Sequence, residues 1–569
     1  MKPLYPTLTT MLQDRAGNGP HRGLTYLPQG EGLERHLSFA ELNRQARHVA
    51  RQLMARSCPG DRVALLFGEG PDIVVAFFGA LYAGLVTVPL PPPQPNQPVE
   101  EIHALLADAQ AGILLTTTTL LPSVGSWLDK LSLPVITIET ALQDSADQLD
   151  SWSPFPAQPE TLASLLYTSG STRKPRGVML SHGHLIRRLA ALADAVSDLE
   201  YLTDGPTVSW MPLYHIWGLG AAVLQPMYLN IDAIVLPTST VIERPVRWLR
   251  AISRYRATSS GGPNFAFQAC VDAVSVEEAR TLDLRCWQIA PLGAETIRLE
   301  TLDQFATRYE AVGFQRRAFA ITYGLSEGMA TVDARQTPDK PVYVRVDPTA
   351  LEEGRVVNSS SAQAGQAIVS CGLPIPGQQV KIVDPEQKSE LEEDRVGEIW
   401  LGGSLVADGY WNQAEQTEEV FHAQLSSGQG PFLRTGDLGF IHQGELYVTG
   451  RLKDMLIIHG KNLYAVDLEH TAEQAHPALV PTASIAFSVQ VALEEQLVLV
   501  LEIRPEYETA NVAEITAAVR RRIGDRFQLP VHAVVLVESG SLPRTQTGKL
   551  QRQRGRELYL SSSEASPRT

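Results

Sequence analysis

Cysteine is scarce in this chain of 569 residues: there are only Cys58, Cys270, Cys286 and Cys371, and they stand singly. No two have the close spacing of a zinc ligand set or a disulfide framework, so neither a zinc site nor disulfides are expected. Positive charge is also in short supply. Lysines and arginines number 48 against 63 acidic residues, a formal net charge of −15, which argues against a nucleic-acid partner. The opening segment Met1-Lys2-Pro3-Leu4-Tyr5-Pro6 lacks an apolar core of secretory type.

One uncharged run, Ile73 to Leu90, is long enough to be weighed as a membrane span. Pro71 and Asp72 supply a helix start, Gly79 and Gly84 interrupt the run, and Val86-Thr87-Val88 reads as a strand. A buried helix passing into a buried strand is therefore expected, with no stable membrane insertion. These absences leave a cytoplasmic globular protein as the expectation.

What is present agrees with that. Hydrophobic residues make up 44% and charged residues 20% of the chain, as in ordinary globular proteins, and its length favours two or more domains. Ser38 to Leu53 reads as a helix with Ser38 and Glu41 as capping pair. Short β runs at Val63 to Phe67, Ile113 to Thr116, Val135 to Ile138 and Ile234 to Leu236 alternate with helical stretches, predicting an α/β fold with parallel sheets. Pro89 to Pro98 reads as a loop, and the serines after Leu560 as a possible linker start.

The most informative stretch runs from Tyr167 to Val178. Thr168, Ser169, Gly170, Ser171 and Thr172 offer backbone amides and hydroxyls, and Arg173, Lys174 and Arg176 supply cations just after the apolar run Leu162 to Leu166. Such a loop suits the phosphates of a nucleotide triphosphate. It is not the P-loop of NTPases, because Gly177 is followed by Val178 rather than Lys-Ser/Thr.

Four further segments follow in order. Ile321-Thr322-Tyr323-Gly324-Leu325-Ser326-Glu327 places an aromatic at a strand end, able to stack on a purine, and then one acid suited to Mg²⁺. Leu433 to Gly439 places Asp437 in a tight turn, where a carboxylate suits ribose hydroxyls. Gly450-Arg451-Leu452-Lys453-Asp454 is a charged corner before an apolar strand, and Leu542 to Arg552 is a basic loop containing Gly548-Lys549. Each has a plain alternative: a core tyrosine, a hairpin turn, two solvated charge runs.

In combination these segments resemble the adenylate-forming superfamily of acyl-CoA synthetases, adenylation domains and luciferases, over nearly the whole chain. The resemblance implies that Thr168 to Thr172 hold phosphates, and that Tyr323 stacks on adenine beside Gly293-Ala294-Glu295. Glu327 would bind Mg²⁺, Asp437 the ribose and Arg451 the ribose and phosphate region, with Lys549 bridging the carboxylate and the α-phosphate. It further implies ATP-binding roles for Lys174 and Gly324, and a catalytic contribution from Thr168.

The likeness is stronger to fatty acyl-AMP ligases, through Tyr167 to Arg173, Gly261-Gly262-Pro263-Asn264-Phe265-Ala266-Phe267, Leu282 to Glu295, Ser370 to Gly377 and Gly450 to Tyr464. Arg173 stands where most CoA ligases have glycine, and the long stretch between Glu327 and Ser370 resembles an insertion that hampers CoA-dependent transfer. Implied partners are a fatty acid and a phosphopantetheinylated acyl carrier protein. The acyl pocket would be formed by His215, Trp217, Gly261, Gly262 and Pro263.

The sequence departs from the family at Tyr214-His215-Ile216-Trp217-Gly218-Leu219, where Tyr-His-Asp-Met-Gly-Leu is usual. His215 is kept, while Ile216 and Trp217 put chain length and pocket shape in doubt. The implied architecture is a large N-terminal domain, 1–450, of stacked α/β subdomains with mixed sheets. A hinge at 451–454, with Lys453 at its centre, would lead to a small mobile α+β lid, 455–569, carrying Lys549. The basic cluster Lys549, Arg552, Arg554 and Arg556 is either a steering surface for an acidic carrier protein or a solvated terminus.

Rival readings are a CoA ligase and an inactive acyl-nucleotide binding protein. An NAD enzyme has only Gly218-Leu219-Gly220 in its favour.

Overall fold

The computed structural model describes residues 3–92, 99–128, 133–143, 152–167, 175–196, 205–333, 340–359, 365–458, 461–491, 494–507, 511–545 and 548–563. The phosphate-loop residues Thr168, Ser169, Gly170, Ser171, Thr172, Arg173 and Lys174, together with residues 93–98 of the proline-rich stretch, lie outside them.

Alternating β runs and helices build a six-stranded sheet. Its order is Val135–Thr137, Ala111–Thr116, Arg62–Leu66, Val86–Leu90, Leu162–Tyr167, Gly177–Ser181, and every neighbouring pair is parallel except the last. Parallel strands are buried on both faces, which explains the run that could have been mistaken for a membrane span. Ile73 to Leu90 folds as the helix Asp72–Tyr82 and the strand Val86–Leu90, both buried. Among the described residues no helix is long and apolar enough to cross a membrane.

A five-stranded sheet, ordered Ser259–Ser260, Thr207–Ser209, Ala233–Val235, Gly23–Tyr26, Arg35–Ser38, shares a hydrophobic core with the first. The helix Phe39–Met54 begins as expected, with the Ser38 hydroxyl accepting the Glu41 amide. The Glu41 carboxylate does not complete the expected pair; it turns to Arg44 and Gln45. A third sheet, Ala290–Leu292, Phe319–Gly324 and Met329–Val332, carries Tyr323. An antiparallel four-stranded sheet, Gln378–Val383, Gly397–Gly403, Leu433–His442, Glu445–Arg451, carries Asp437 and Arg451 directly opposite one another.

Past residue 454 the chain forms its own three-stranded sheet, Leu479–Val491, Glu494–Ile503, Val531–Glu538. Alternation along the central strand serves two cores. Leu497, Leu499 and Leu501 pack with Ile515, Val519, Ile523 and Phe527, whereas Val498 and Val500 face Ile485, Phe487 and Leu542. Tyr559 and Leu560 of the helix Arg552–Ser563 cover that second face. The expected linker start after Leu560 lies mostly outside the described residues; the helix continues through Ser563.

Between Lys340 and Val369 lies the candidate insertion. Strands Tyr343–Val346 and Gln366–Val369 pair antiparallel, with the helix Pro348–Glu352 between them. Val346, Leu351 and Ile368 share an apolar cluster with Phe440, Tyr447 and Tyr464, so the insertion packs against both the four-stranded sheet and the start of the C-terminal part.

Candidate active site

One continuous cavity of about 2530 Å³ runs between these units. It exceeds the roughly 300–1,000 Å³ of an ordinary small-ligand pocket and has room for more than one substrate. One portion of its lining is apolar, with Leu185, Leu189, Met211, Ile216, Trp217 and Leu224; another is polar, with Glu295, Tyr323, Glu327, Asp437, Arg451 and Lys549.

Asp437 is not in a turn, which corrects both the tight turn expected for it and the hairpin alternative. Thr435-Gly436-Asp437 lies inside the strand Leu433–His442, where the ladder to Gly397–Gly403 skips register. Gly436 takes φ +69° at this irregularity, a conformation glycine adopts without steric cost. The Glu398 carboxylate holds the bend by accepting the Gly436 amide at 3.2 Å and Arg434 at 2.8 Å. Asp437 is thereby presented to Tyr323, whose hydroxyl donates to it at 2.8 Å, and to Arg451 Nε at 3.1 Å. Residues from three segments far apart in sequence form one cluster.

Glu327 occupies the turn between Phe319–Gly324 and Met329–Val332. Its carboxylate is buried and accepts the Tyr410 hydroxyl at 2.9 Å, and burial raises its pKa. Arg188 anchors the turn from beneath, donating to the carbonyls of Ser326 at 3.1 Å and Leu325 at 3.3 Å. Burial lowers the Arg188 pKa to about 10, still leaving it cationic at neutral pH. The described residues hold no cluster of three metal-ligating side chains. A single buried carboxylate still fits Mg²⁺, which takes hard oxygen ligands, commonly one or two carboxylates plus substrate phosphates.

Neither Tyr410 nor Arg188 stands in one of the sequence motifs. Arg188 left a trace, as the lone cation on a helix stripe otherwise formed by His184, Leu185 and Leu189. Nothing local ties Tyr410 to Glu327.

Lys549 reaches the cavity from the C-terminal part, and its ammonium donates to the Ala294 carbonyl at 3.1 Å. Burial, then the nearby Arg451 cation, lowers its pKa to about 8. Ala294 adopts φ +66°, which turns its carbonyl toward the lysine, while Gly293 lies so close to Thr322 that a Cβ would sit 2.6 Å from Oγ1. Glu295 is directed elsewhere, accepting the Phe265 amide at 2.7 Å. Lys453 also lines the cavity, in the 3₁₀ turn Leu452–Asp454, and burial lowers its pKa.

His215 caps the short helix Ile216–Leu219, its Nδ1 accepting the Trp217 amide at 3.2 Å. Burial, then the Lys549 cation, lowers its pKa to about 4, so it is neutral at pH 7. Trp217 and Pro263 line the cavity. Gly261 and Gly262 serve close packing instead: a Cβ would lie 2.2 Å from the Pro291 carbonyl in the first and 2.7 Å from Trp210 in the second.

The basic C-terminal cluster is largely internal. Arg552 grips Glu469 through two bonds of 2.6 and 2.7 Å and Asp454 at 3.1 Å; Arg556 donates to the Ser488 carbonyl; Arg554 lies 3.7 Å from Glu557.

Residues 12–411 match the AMP-binding enzyme family, and residues 453–565 match the AMP domain of Disco-interacting protein 2-like proteins. The chain belongs to the AMP-binding enzyme family. Within that family, the medium-chain-fatty-acid acyl-carrier-protein ligase JamA of Moorena producens is 38% identical over 570 residues, 98% of this chain and 96% of JamA. A 4-hydroxyphenylalkanoate adenylyltransferase of Mycobacterium tuberculosis is 33% identical, covering 97% of this chain and 92% of its own.

Among solved structures, one from a study of fatty acyl-adenylate ligases of E. coli and L. pneumophila superposes on this AMP-binding enzyme with a TM-score of 0.88. It has 31% identity and covers 99% of both chains. The L. pneumophila fatty acyl-adenylate ligase in complex with acyl adenylate and pyrophosphate gives 0.75 at 32% identity, covering 98% of this chain and 96% of its own.

Proposed function

We propose that this protein is a fatty acyl-AMP ligase: it converts a fatty acid and ATP to acyl-adenylate and pyrophosphate, then passes the acyl group to the phosphopantetheine thiol of an acyl carrier protein. One observation carries the reading. The Lys549 ammonium and the Tyr323–Asp437–Arg451 cluster line the same cavity as a broad apolar wall. That juxtaposition suits a reaction joining a long apolar carboxylate to a nucleotide.

In the first step a carboxylate oxygen attacks the α-phosphorus, and the bond from that phosphorus to the pyrophosphate oxygen breaks. Two anions must meet, so the barrier is largely electrostatic. Lys549 supplies fixed positive charge to both, while Asp437 takes the ribose hydroxyls and the Tyr323 ring the adenine. Thr168 to Thr172 and Lys174 hold the departing phosphates. Glu327 would hold Mg²⁺, which would supply neutralising charge to the phosphates. His215, neutral and fixed by its cap, shapes the mouth of the acyl channel. In the second step the thiol sulfur attacks the acyl carbonyl, its proton is lost, and AMP departs.

Residues 1–450 act as the body, 451–454 with Lys453 as the hinge, and 455–569 as the lid. Contacts of the insertion with the lid, Gln366 to Asp467 at 2.7 Å among them, support the reading that the insertion restrains lid rotation and disfavours CoA as acceptor.

The test is mass spectrometry of products from ATP, Mg²⁺ and a fatty-acid panel, with CoA and phosphopantetheinylated carrier protein offered in parallel. Acyl-AMP that accumulates and passes to the carrier alone is expected. Rapid acyl-CoA formation would replace this reading with that of a CoA ligase.

A further inference from the structure

The catalytic lysine is delivered by a loop, and the body has a seat for it. Gly548, next to Lys549, adopts φ +83°, and a Cβ placed on it would lie 2.6 Å from Cζ and 2.9 Å from Cε1 of Phe265. The backbone of the lid loop thus rests directly on an aromatic ring of the body. The loop is internally tied: the Gly548 amide donates to the Thr545 carbonyl at 2.9 Å, the Thr545 amide to the Lys549 carbonyl at 2.7 Å, and the Lys549 amide to Thr545 Oγ1 at 3.1 Å. Arg544 adds a bond to the Gly548 carbonyl at 3.1 Å. A loop braced in this way moves as a unit, so whatever sets the position of Gly548 sets the reach of Lys549.

Phe265 is itself fixed on two sides. It is the second residue of the helix Asn264–Ala273, whose first-turn amides need acceptors from outside the helix, and Pro263 offers no side-chain cap. The Glu295 carboxylate fills that need by accepting the Phe265 amide at 2.7 Å. The ring meets Trp210 edge to face at 6.2 Å, and Trp210 in turn packs on Trp248. The contacts close on themselves: Glu295 holds Phe265, Phe265 supports Gly548, Gly548 carries Lys549, and Lys549 binds the carbonyl of Ala294, the neighbour of Glu295.

We infer that Phe265 is a positioning residue for adenylation, an aromatic seat in the body that receives Gly548 of the lid and so places the Lys549 ammonium. The inference rests on the adenylation reading above and deepens it. Gly548 is required for two reasons that act together: its left-handed backbone and the absence of a side chain where the ring lies. Because Lys549 serves the attack on the α-phosphate and not the later thiol attack, the seat matters for one half reaction only.

Phe265→Leu, Gly548→Ala and the double variant would be assayed for acyl-AMP formation and, separately, for acyl transfer from preformed acyl-AMP. Displacing a catalytic group by about an ångström typically costs up to ~10²-fold, so Phe265→Leu is expected to slow adenylation roughly ten- to a hundredfold. Transfer should stay within about twofold, and preference among fatty-acid lengths should not move. In the double variant, leucine gives way where the ring could not, so its loss should be smaller than the product of the single losses. Equal slowing of both half reactions, a changed length preference, or multiplicative losses would overturn the seat.

Amide hydrogen exchange of residues 544–550 in the substrate-free enzyme adds a readout independent of activity. Faster exchange in Phe265→Leu is expected, and unchanged exchange would also overturn the inference. A wild-type enzyme that forms no acyl-AMP, combined with faster exchange in the variant, would sink the adenylation reading while leaving the seat in place.

Discussion

In the proposed mechanism Lys549 acts as a cation, yet it is placed where charge is costly. Its pKa of about 8 leaves it mostly protonated at pH 7, with Asp437 and Glu295 favouring the cation against burial and Arg451. The sign follows: the active form is the protonated one, so kcat/KM for adenylation is expected to fall about tenfold per pH unit above about pH 8. Lys549→Ala should slow adenylation by at least ~10² and abolish that alkaline limb. Rapid-quench measurement of acyl-AMP across pH 6 to 10 checks both.

Trp217 sets a second residue-scale expectation. Indole is the bulkiest apolar side chain, and here it lines the cavity beside the His215 cap. Trp217→Met should therefore shift the acyl-length optimum toward longer or bulkier chains. A length profile identical to wild type would remove Trp217 from the channel.

At the scale of elements, the C-terminal helix Arg552–Ser563 is held by Arg552, which joins it to the helix Ala465–Glu473 through Glu469 and to the 3₁₀ turn through Asp454. Glu469 is buried, 3% exposed, and also accepts the Ala486 amide at 2.9 Å. Removing the cation strands that carboxylate in apolar surroundings, which typically costs about 3–5 kcal/mol. Arg552→Ala is thus expected to lower the stability of the C-terminal part by about that amount, read as a shift in denaturation midpoint. Arg552→Lys, which keeps the charge but not the two-pronged bond, should fall between. The charge run was legible in sequence as basic, but not as internal, because its partner lies 83 positions away in the chain.

For the whole molecule the decisive surface is the seam between the C-terminal part and the residues before it. Arg298 meets Glu473 at 2.6 Å, Gln366 donates to Asp467 at 2.7 Å, and Lys461 lies 3.9 Å from Glu352. Burial raises the Asp467 pKa to about 6, opposed by Gln366, Arg526 and Arg298 and reinforced by Glu469. A carboxyl whose folded pKa is raised stabilises the docked state fully below its unfolded value near 3.8, and that contribution is lost as pH rises through about 6. Asp467→Asn is therefore expected to melt above the wild type at pH 7, with the advantage shrinking to nothing near pH 4. A melting difference independent of pH would show that Asp467 is charged to the same extent in both states.

What the sequence determined by itself was local. Apolar runs of strand length between helical stretches specify a buried parallel sheet, and Ser38 specifies a helix start. The ordered motifs from Tyr167 to Lys549 carried the family resemblance, because each residue type suits one part of a nucleotide. Only the tertiary structure decided which of these groups meet. Tyr323, Asp437 and Arg451 converge because two sheets abut, and Tyr410 and Arg188 support Glu327 through contacts with no sequence spacing. Gly548 packs against Phe265 across the contact between the C-terminal part and the rest of the chain. Sequence periodicity records what a segment buries, whereas a site spanning several segments depends on distances that only packing sets.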